Sequence, residues 1–238
     1  MPFNRTHLLA PLALVVIALN GCGPNGVNGG VHVPPGATVE NATTVNGGVK
    51  VGDGAKVGEA STVNGGVRLG DNVNADSART VNGGIRIGSN TRIAHDAETV
   101  NGGVQLGKNA DVGGEVKNVN GDIRLDAAHV GNGISTFNGD IEVGSGSRVE
   151  GGIHVNKPEF SMGLGNDIPR IVIGPGAVVE GTMRFERDVA LYVSDSAKIG
   201  AVEGATAKMF SGDRPGDEHD SHDTPSNSPA AAGGPEKE

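Results

Sequence analysis

The residues of this 238-residue chain that could do chemistry are few, and their positions argue against a catalytic centre. The only cysteine, Cys22, cannot form an internal disulfide. A histidine can serve as a general base, and four histidines lie within a repetitive region: His32, His95, His129 and His154. No neighbouring insertion shapes a pocket around any of them. We therefore interpret them as surface or corner residues and expect no catalytic residue and no enzyme activity.

An acidic, histidine-containing patch near the C-terminus is the other chemical candidate. It runs from Asp217 to Asp223 and could attract a divalent metal. A segment of this composition is more typical of a solvated tail. We predict no metal site and no cofactor.

The elements that carry these residues follow from an internal repeat. Seven asparagines recur at steps of 18 or 19 residues, six of them in variants of the phrase Thr-Val-Asn-Gly-Gly-Val: Asn28, Asn46, Asn64, Asn82, Asn101, Asn120 and Asn138. A fixed period of this length is typical of a stacked-repeat architecture.

A finer period of six runs beneath the repeat. Steps of six from Val45 to Ile93 meet an apolar residue each time, and the frame continues to Val155 after two one-residue slips. A helix would repeat near 3.6, and a chain of Asn-Gly hairpins would not hold such a frame. The pattern predicts an all-β fold, a single-stranded parallel β-helix with about 18 residues per turn in three six-residue faces.

The Asn-Gly-Gly phrase has a structural interpretation. Glycine accepts positive φ and close backbone approach, as a tight corner requires. Asparagine amides stacked about 4.8 Å apart would form a hydrogen-bonded ladder along one edge. The alternative is a repetitive array of ligand sites.

The N-terminal segment is read as an export signal. Residues 1–21 contain an apolar run from Leu8 to Leu19, too short for a transmembrane helix. The run ends in Leu19-Asn-Gly-Cys22, which resembles the bacterial lipobox. This resemblance implies lipidation of Cys22 and membrane anchoring through its acyl chains. Gly23, in place of aspartate, then favours the outer membrane, facing the periplasm, in a Gram-negative host.

The remaining boundaries follow the six-residue frame. A lipidated linker spans 22–26 and the solenoid spans 27–204, with an irregular turn or side loop at 156–170. In that segment Phe160, Met162 and Leu164 are the candidate partner contact, with packing over the rod as the alternative. Residues 205–238 are predicted to be a disordered acidic tail.

The net charge of the chain limits which classes of partner it can bind. The chain carries a formal charge of −9 and shows no basic patch along its length, which argues against nucleic-acid binding. Arg68, Arg86 and Gln105 occupy matching positions in successive turns, after Lys50, and form a candidate outward stripe. A solvated face explains them equally well.

The C-terminal third resembles the bactofilins, bacterial cytoskeletal β-helices. The motifs are Val149-Glu-Gly-Gly-Ile-His-Val155 and Ile173-Gly-Pro-Gly-Ala-Val-Val-Glu-Gly-Thr-Met-Arg-Phe185. The resemblance implies a right-handed helix and end-to-end assembly into filaments. A lipobox departs from that family, which works in the cytoplasm or on the cytoplasmic face of the inner membrane.

Hexads such as Val51-Gly-Asp-Gly-Ala-Lys56 resemble the left-handed acyltransferase solenoids. This resemblance implies a left-handed helix as the alternative handedness of the solenoid. It also implies an alternative function, that of an acyltransferase-like enzyme. Our leading hypothesis is a lipid-anchored structural or scaffolding solenoid of the cell envelope that self-associates end to end. The other alternative is a module for glycan or peptidoglycan binding, or for adhesion.

Overall fold

The computed structural model describes residues 25–157 and 168–215. They form an all-β solenoid of parallel strands, and its first face alone contains ten strands. No helix in this described part of the chain is long and apolar enough to cross a membrane. The six-residue frame predicted this fold correctly.

The strands are short and are numbered in chain order. The first are β1 (Asn25–Asn28), β2 (Val31–Val33), β3 (Thr38–Asn46), β4 (Val49–Val51), β5 (Lys56–Asn64), β6 (Val67–Leu69), β7 (Asn74–Asn82), β8 (Ile85–Ile87) and β9 (Arg92–Ile93). The next are β10 (Ala97–Asn101), β11 (Val104–Leu106), β12 (Asp111–Val112), β13 (Glu115–Asn120), β14 (Ile123–Leu125), β15 (His129–Val130), β16 (Gly133–Thr136), β17 (Ile141–Val143) and β18 (Arg148–Val149). The last are β19 (Ile153–Val155), β20 (Arg170–Ile173), β21 (Val178–Val179), β22 (Met183–Phe185), β23 (Ala190–Ser194), β24 (Lys198–Ile199), β25 (Val202–Glu203) and β26 (Ala207–Phe210).

These strands build three faces. The first face stacks β2, β4, β6, β8, β11, β14, β17, β20, β23 and β26. The other two faces belong to one 16-stranded sheet, because β3, β5 and β7 each run through both of them as nine-residue strands. From β9 onwards the second and third faces have separate strands. Pairing is parallel throughout, with Val49 opposite Val67 one turn later.

The core lies between the three faces and is almost entirely aliphatic. On the first face each three-residue strand from β2 to β17 points its two outer residues inward and its middle residue outward. This follows from the two-residue period of a β-strand. The inward residues are Val, Ile and Leu, whose burial drives folding. The first two faces therefore match the predicted frame.

On the third face the predicted frame is wrong by one residue in the turns from β3 to β16, whereas Val155, later on this face, is buried as predicted. Val45, Val63, Val81 and Val100 were expected to point inward, yet they are 38–40% exposed. The threonine before each valine is buried instead, with Thr62 at 4% exposure and Thr80 at 5%. The valine and the asparagine after it both face outward at the corner.

The buried threonines are satisfied by hydrogen bonds to the preceding turn. Thr44 Oγ1 donates to the carbonyl oxygen of Gly29 at 2.8 Å, and Thr62 Oγ1 donates to that of Gly47 at 2.8 Å. Thr80 and Thr99 repeat the contact in the next two turns. A buried polar group is tolerated only when it is paired, and this pairing places threonine inside.

The strands on either side of the segment 156–170 pair directly with one another. β17 pairs directly with β20, with Ile141 opposite Ile171, and β19 pairs with β22, with Ile153 opposite Met183. The described strands of these turns are therefore adjacent on both the first and the third face. Ile173 follows Val155 by 18 residues, the length expected for one turn, yet Ile173 lies on the first face and Val155 on the third.

The solenoid extends beyond both predicted boundaries. It begins with β1 at Asn25, and it ends with β26, which pairs with β23 in the segment predicted to be tail. Leu191 pairs with Ala207, a step of 16 residues, so the last turn is shorter and leaves the six-residue frame. Phe210 is nevertheless buried at 4% exposure.

Candidate functional site

The seven asparagines form a continuous ladder along one corner. Each Nδ2 donates to the Oδ1 of the asparagine in the preceding turn, at distances from 2.9 Å for Asn46 and Asn28 to 3.2 Å for Asn120 and Asn101. Because every amide is used along the rod, the ladder is a structural edge and offers few free groups to a ligand.

The glycine after each asparagine is required by the backbone. Gly65 has a φ of +155°, and a Cβ at this position would lie 2.2 Å from the carbonyl oxygen of Gly47. Real Cβ atoms do not approach so closely, and the first glycine of the phrase is therefore part of the corner.

The upper end of the ladder is closed by a cation. The Arg187 guanidinium donates to Asn138 Oδ1, and it donates to the carbonyl oxygen of Phe137 at 3.2 Å. Arg187 follows β22, which is the second strand of the third face after Asn138. Nothing in the repeat pattern predicted this contact.

Next to the ladder, a groove of about 500 Å³ runs along the first face. We call it the cationic groove. It is lined by the second glycine of each corner and by the outward residues of the first face: Gly48, Lys50, Gly66, Arg68, Gly84, Arg86, Gly103, Gln105, Asp122 and Arg124. The structure places Lys50, Arg68, Arg86 and Gln105 in one stripe, opposite one another in successive turns, as the sequence suggested.

The three cations at the start of the groove lack acidic partners. Among the described residues, Lys50, Arg68 and Arg86 form no ion pair, and the Arg86 Nε donates to Gln105 Oε1 at 3.1 Å. Two unit charges about 4.8 Å apart repel by roughly 1 kcal/mol in water. A bound anion would relieve this repulsion.

At the far end of the groove the charge is neutralised. Arg124 Nη2 lies 2.8 Å from Asp122 Oδ2, and its Nε lies 3.5 Å from Glu142 Oε2. The unpaired cations therefore occupy the part of the groove toward the N-terminal end of the rod.

The second glycine of each corner is not required by the backbone. A Cβ on Gly66 would lie 3.1 Å from the carbonyl oxygen of Gly84, a tight but tolerable contact. Asp122 and Asp140 occupy the equivalent position in later turns. Glycine at positions 48, 66, 84 and 103 therefore keeps this part of the groove open and free of carboxylates, in contrast to the end at Asp122.

The same glycines leave backbone donors available. The N–H groups of Gly48, Gly66 and Gly84 appear in none of the backbone hydrogen bonds of the described residues, and all three residues are exposed. Amide N–H groups beside cationic side chains are a common combination for anion recognition. The groove is suited to an extended chain that carries negative charges.

The histidines lie elsewhere. His32 and His154 are exposed residues in the middle of strands, and the His95 ring lies 3.3 Å from the Asp76 carbonyl oxygen. His129 lies on the second face with its Nδ1 2.7 Å from Asp111 Oδ1 and its Nε2 3.2 Å from Glu150 Oε1. These bonds, chiefly the one to Asp111, raise the pKa of His129, and the bond from His129 lowers the pKa of Glu150.

The other predicted sites lie outside the described residues. They are Cys22, the segment with Phe160, Met162 and Leu164, and the acidic patch from Asp217 to Asp223. Within the residues that the structure does describe, no group of three or more acids, histidines or cysteines is arranged to hold a metal ion.

The fold and this groove define a three-faced parallel β-solenoid with a polar ladder at one corner and a cationic channel beside it. No family model, no curated protein and no solved structure matches the chain.

Proposed function

We propose that this protein is a lipid-anchored scaffold of the bacterial cell envelope. The observation that carries the proposal is the unbroken parallel stacking of the solenoid, ten strands deep on the first face. At about 4.8 Å per turn the rod is about 50 Å long. Backbone hydrogen bonds run along its three faces, and side-chain hydrogen bonds run inside and outside one corner. These bonds make the rod stiff, so that it is suited to holding its two ends at a fixed distance.

The anchor is proposed from the lipobox and from where the solenoid begins. β1 starts at Asn25, three residues after Cys22, which is a reach of about 10 Å in extended chain. Acyl chains on Cys22 would thus hold the first turn close to the membrane surface. The bactofilin-like motifs support a scaffolding role. Gly23 after the lipobox cysteine supports a location in the outer membrane of a Gram-negative host. The acidic net charge argues against nucleic acid as a partner.

Metabolic labelling with a radioactive fatty acid tests the anchor. Wild-type protein should take up label and sediment with membranes, and Cys22→Ser should do neither while still folding by circular dichroism. An unlabelled wild-type protein in the soluble fraction would remove the anchor from the proposal.

End-to-end association is the second part of the scaffold proposal. At the C-terminal end, Ile199 and Val202 are only partly buried, and the outer edges of β24 and β25 have no neighbouring strand among the described residues. At the other end Val39 is also partly buried. Such edges pair readily with another chain, and head-to-tail stacking would generate an open filament.

Electron microscopy of the Cys22→Ser protein tests this part. Filaments of solenoid width would support stacking, and replacement of Ile199 by lysine should shorten them. A strictly monomeric rod at high concentration would exclude self-assembly and leave the anchored spacer.

The cationic groove favours a second candidate function, binding of an anionic envelope polymer. The uncharged glycine floor fits an extended backbone, and the unpaired Lys50, Arg68 and Arg86 fit its charges. Purified anionic envelope glycan should bind wild-type protein more tightly than Arg68→Gln/Arg86→Gln. Lys56→Gln/Lys198→Gln, which removes the same charge from the second face, should bind like wild type. Equal binding by all three proteins would exclude the groove.

A further inference from the structure

We infer that the acidic C-terminal tail of the same chain occupies the cationic groove. The inference does not depend on the scaffold role. It rests on the groove described above and names what fills it when no external polymer is bound.

The course of the chain after the last strand carries the first step. β26 is the last strand of the first face, two positions beyond β20. The residues that follow it nevertheless lie beside earlier turns: Asp213, Arg214 and Pro215 line a second cavity, of about 670 Å³, with residues of β11, β14, β17 and β20. The chain has therefore turned back along the first face, toward the N-terminal end of the rod.

The two cavities share residues. Gln105 and Arg124 line both the cationic groove and the cavity beside Pro215. The last described residues of the chain thus line a cavity on the same face as the unpaired cations, and this cavity adjoins the C-terminal end of the groove.

The charges of the continuing chain match the groove. Residues 216–223 contain Asp217, Glu218, Asp220 and Asp223 with no lysine or arginine among them. The groove presents Lys50, Arg68 and Arg86 without carboxylate partners among the described residues. Opposite charges at contact distance attract by about 1 kcal/mol per pair even in water, and tethering raises the effective concentration of the tail.

The length of the tail is sufficient. Four turns separate Arg124 from Lys50, a distance of about 19 Å along the rod. Eight residues in extended conformation span at most about 28 Å. An extended segment of this length that enters the groove at Arg124 can therefore reach Arg86, Arg68 and Lys50.

A spin-label experiment on the full chain tests the placement. A nitroxide is attached to Ser221→Cys in the Cys22→Ser background, and the NMR signals of backbone amides are followed. At low salt the label should broaden Gly48, Gly66 and Gly84 and leave Lys56 and Asn74, on the second face, unaffected. At about 0.5 M salt, where the Debye length is about 4 Å, the broadening should largely disappear.

A matched variant separates charge from chance proximity. Replacing the four acids of 217–223 by their amides should abolish the broadening, while Glu236→Gln/Glu238→Gln should keep it. Broadening that is absent at low salt, equal on both faces, or unchanged in the amide variant would overturn the inference. Contacts between molecules are identified by mixing spin-labelled protein at natural isotope abundance with ¹⁵N-labelled protein that carries no nitroxide. If all of the broadening arose between molecules in this way, the inference would also be overturned.

A binding measurement distinguishes this inference from the polymer-binding candidate. With inorganic polyphosphate as probe, the amide variant should bind several-fold more tightly than wild type, because the tail no longer competes for the groove. If polyphosphate binding requires Arg68 and Arg86 but is unchanged by the amide variant, the groove function stands and tail occupancy fails.

Discussion

The hydroxyl of Thr62 donates a 2.8 Å hydrogen bond to the carbonyl oxygen of Gly47, which belongs to the corner of the preceding turn. Its equivalents in neighbouring turns make the same contact, so each corner is held from inside by a threonine and from outside by an asparagine. The corner that repeats in the sequence is therefore the most cross-linked part of the rod.

Thr62→Val should destabilise the protein although it is nearly isosteric. The substitution leaves the part-buried Gly47 carbonyl without its donor, which costs about 1–2 kcal/mol. For a domain of this size we expect the thermal unfolding midpoint to fall by about 2–8 °C. Thr38→Val, the same change at an exposed outward position of the second face, is the control. An equal effect of both would contradict the role of the hydroxyl.

The two glycines of a corner should respond differently to alanine. Gly65→Ala introduces a Cβ 2.2 Å from the Gly47 carbonyl oxygen at a φ of +155°, and should cost at least about 2 kcal/mol. Gly66→Ala meets only a 3.1 Å contact and should be mild. Thermal unfolding of both variants measures this difference in stability. Equal unfolding midpoints would show that the corner relaxes to accept a Cβ at Gly65.

The sequence predicted the solenoid and two of its faces because period and hydrophobicity agree there. On the third face they disagree: Thr62 and Val63 are adjacent and both β-branched, so hydrophobicity alone assigns valine to the core. The structure buries Thr62 because its partner, the Gly47 carbonyl, lies one turn below. That contact is invisible in a linear pattern.

The candidate site was predictable to a similar degree. The stripe of Lys50, Arg68 and Arg86 follows from residues one turn apart, and stacking turns these scattered cations into the basic patch that the linear sequence did not show. The groove needed one more fact, that the neighbouring Gly66 tolerates a side chain and lacks one. The contact between Arg187 and Asn138 could not be predicted from the repeat, because 49 residues separate the two in sequence.

Asn118 occupies the inner position that threonine holds in the neighbouring turns, and its replacement by threonine should stabilise the fold. Asn118 is 3% exposed, and its Oδ1 is the buried side-chain atom without a hydrogen-bond partner among the described residues. Asn118→Thr should restore the hydroxyl contact that Thr99 makes with Gly83 and stabilise by about 1 kcal/mol.

The reciprocal change is the control for this prediction. Thr99→Asn should create a second buried unpaired oxygen and lower the unfolding midpoint, as Asn118→Thr raises it by about 2–4 °C. If Asn118→Thr lowered the midpoint instead, a group outside the described contacts would have to satisfy the Asn118 oxygen.

The pairing of His129 with Asp111 and Glu150 predicts a pH-dependent contribution to stability. The pKa of His129 is raised above its ordinary value of 6.5, chiefly by the hydrogen bond with Asp111, because the folded state favours the charged ring. Its contribution is therefore fully present below pH 6.5 and is lost as the pH rises through the higher folded-state pKa. The lowered pKa of Glu150 adds a contribution present above its ordinary 4.5 and lost at lower pH.

Stability should consequently gain most from this cluster between about pH 4.5 and pH 6.5. His129→Gln should lower the unfolding midpoint at pH 5.5 and have a smaller effect at pH 9, where the native ring is neutral. His154→Gln, the same substitution at an exposed outward position on the third face, is the matched control. A direct NMR titration of the His129 ring should give a pKa above 6.5. A value at or below 6.5, or a His129→Gln effect that grows toward pH 9, would show that the two carboxylates do not hold the charged ring.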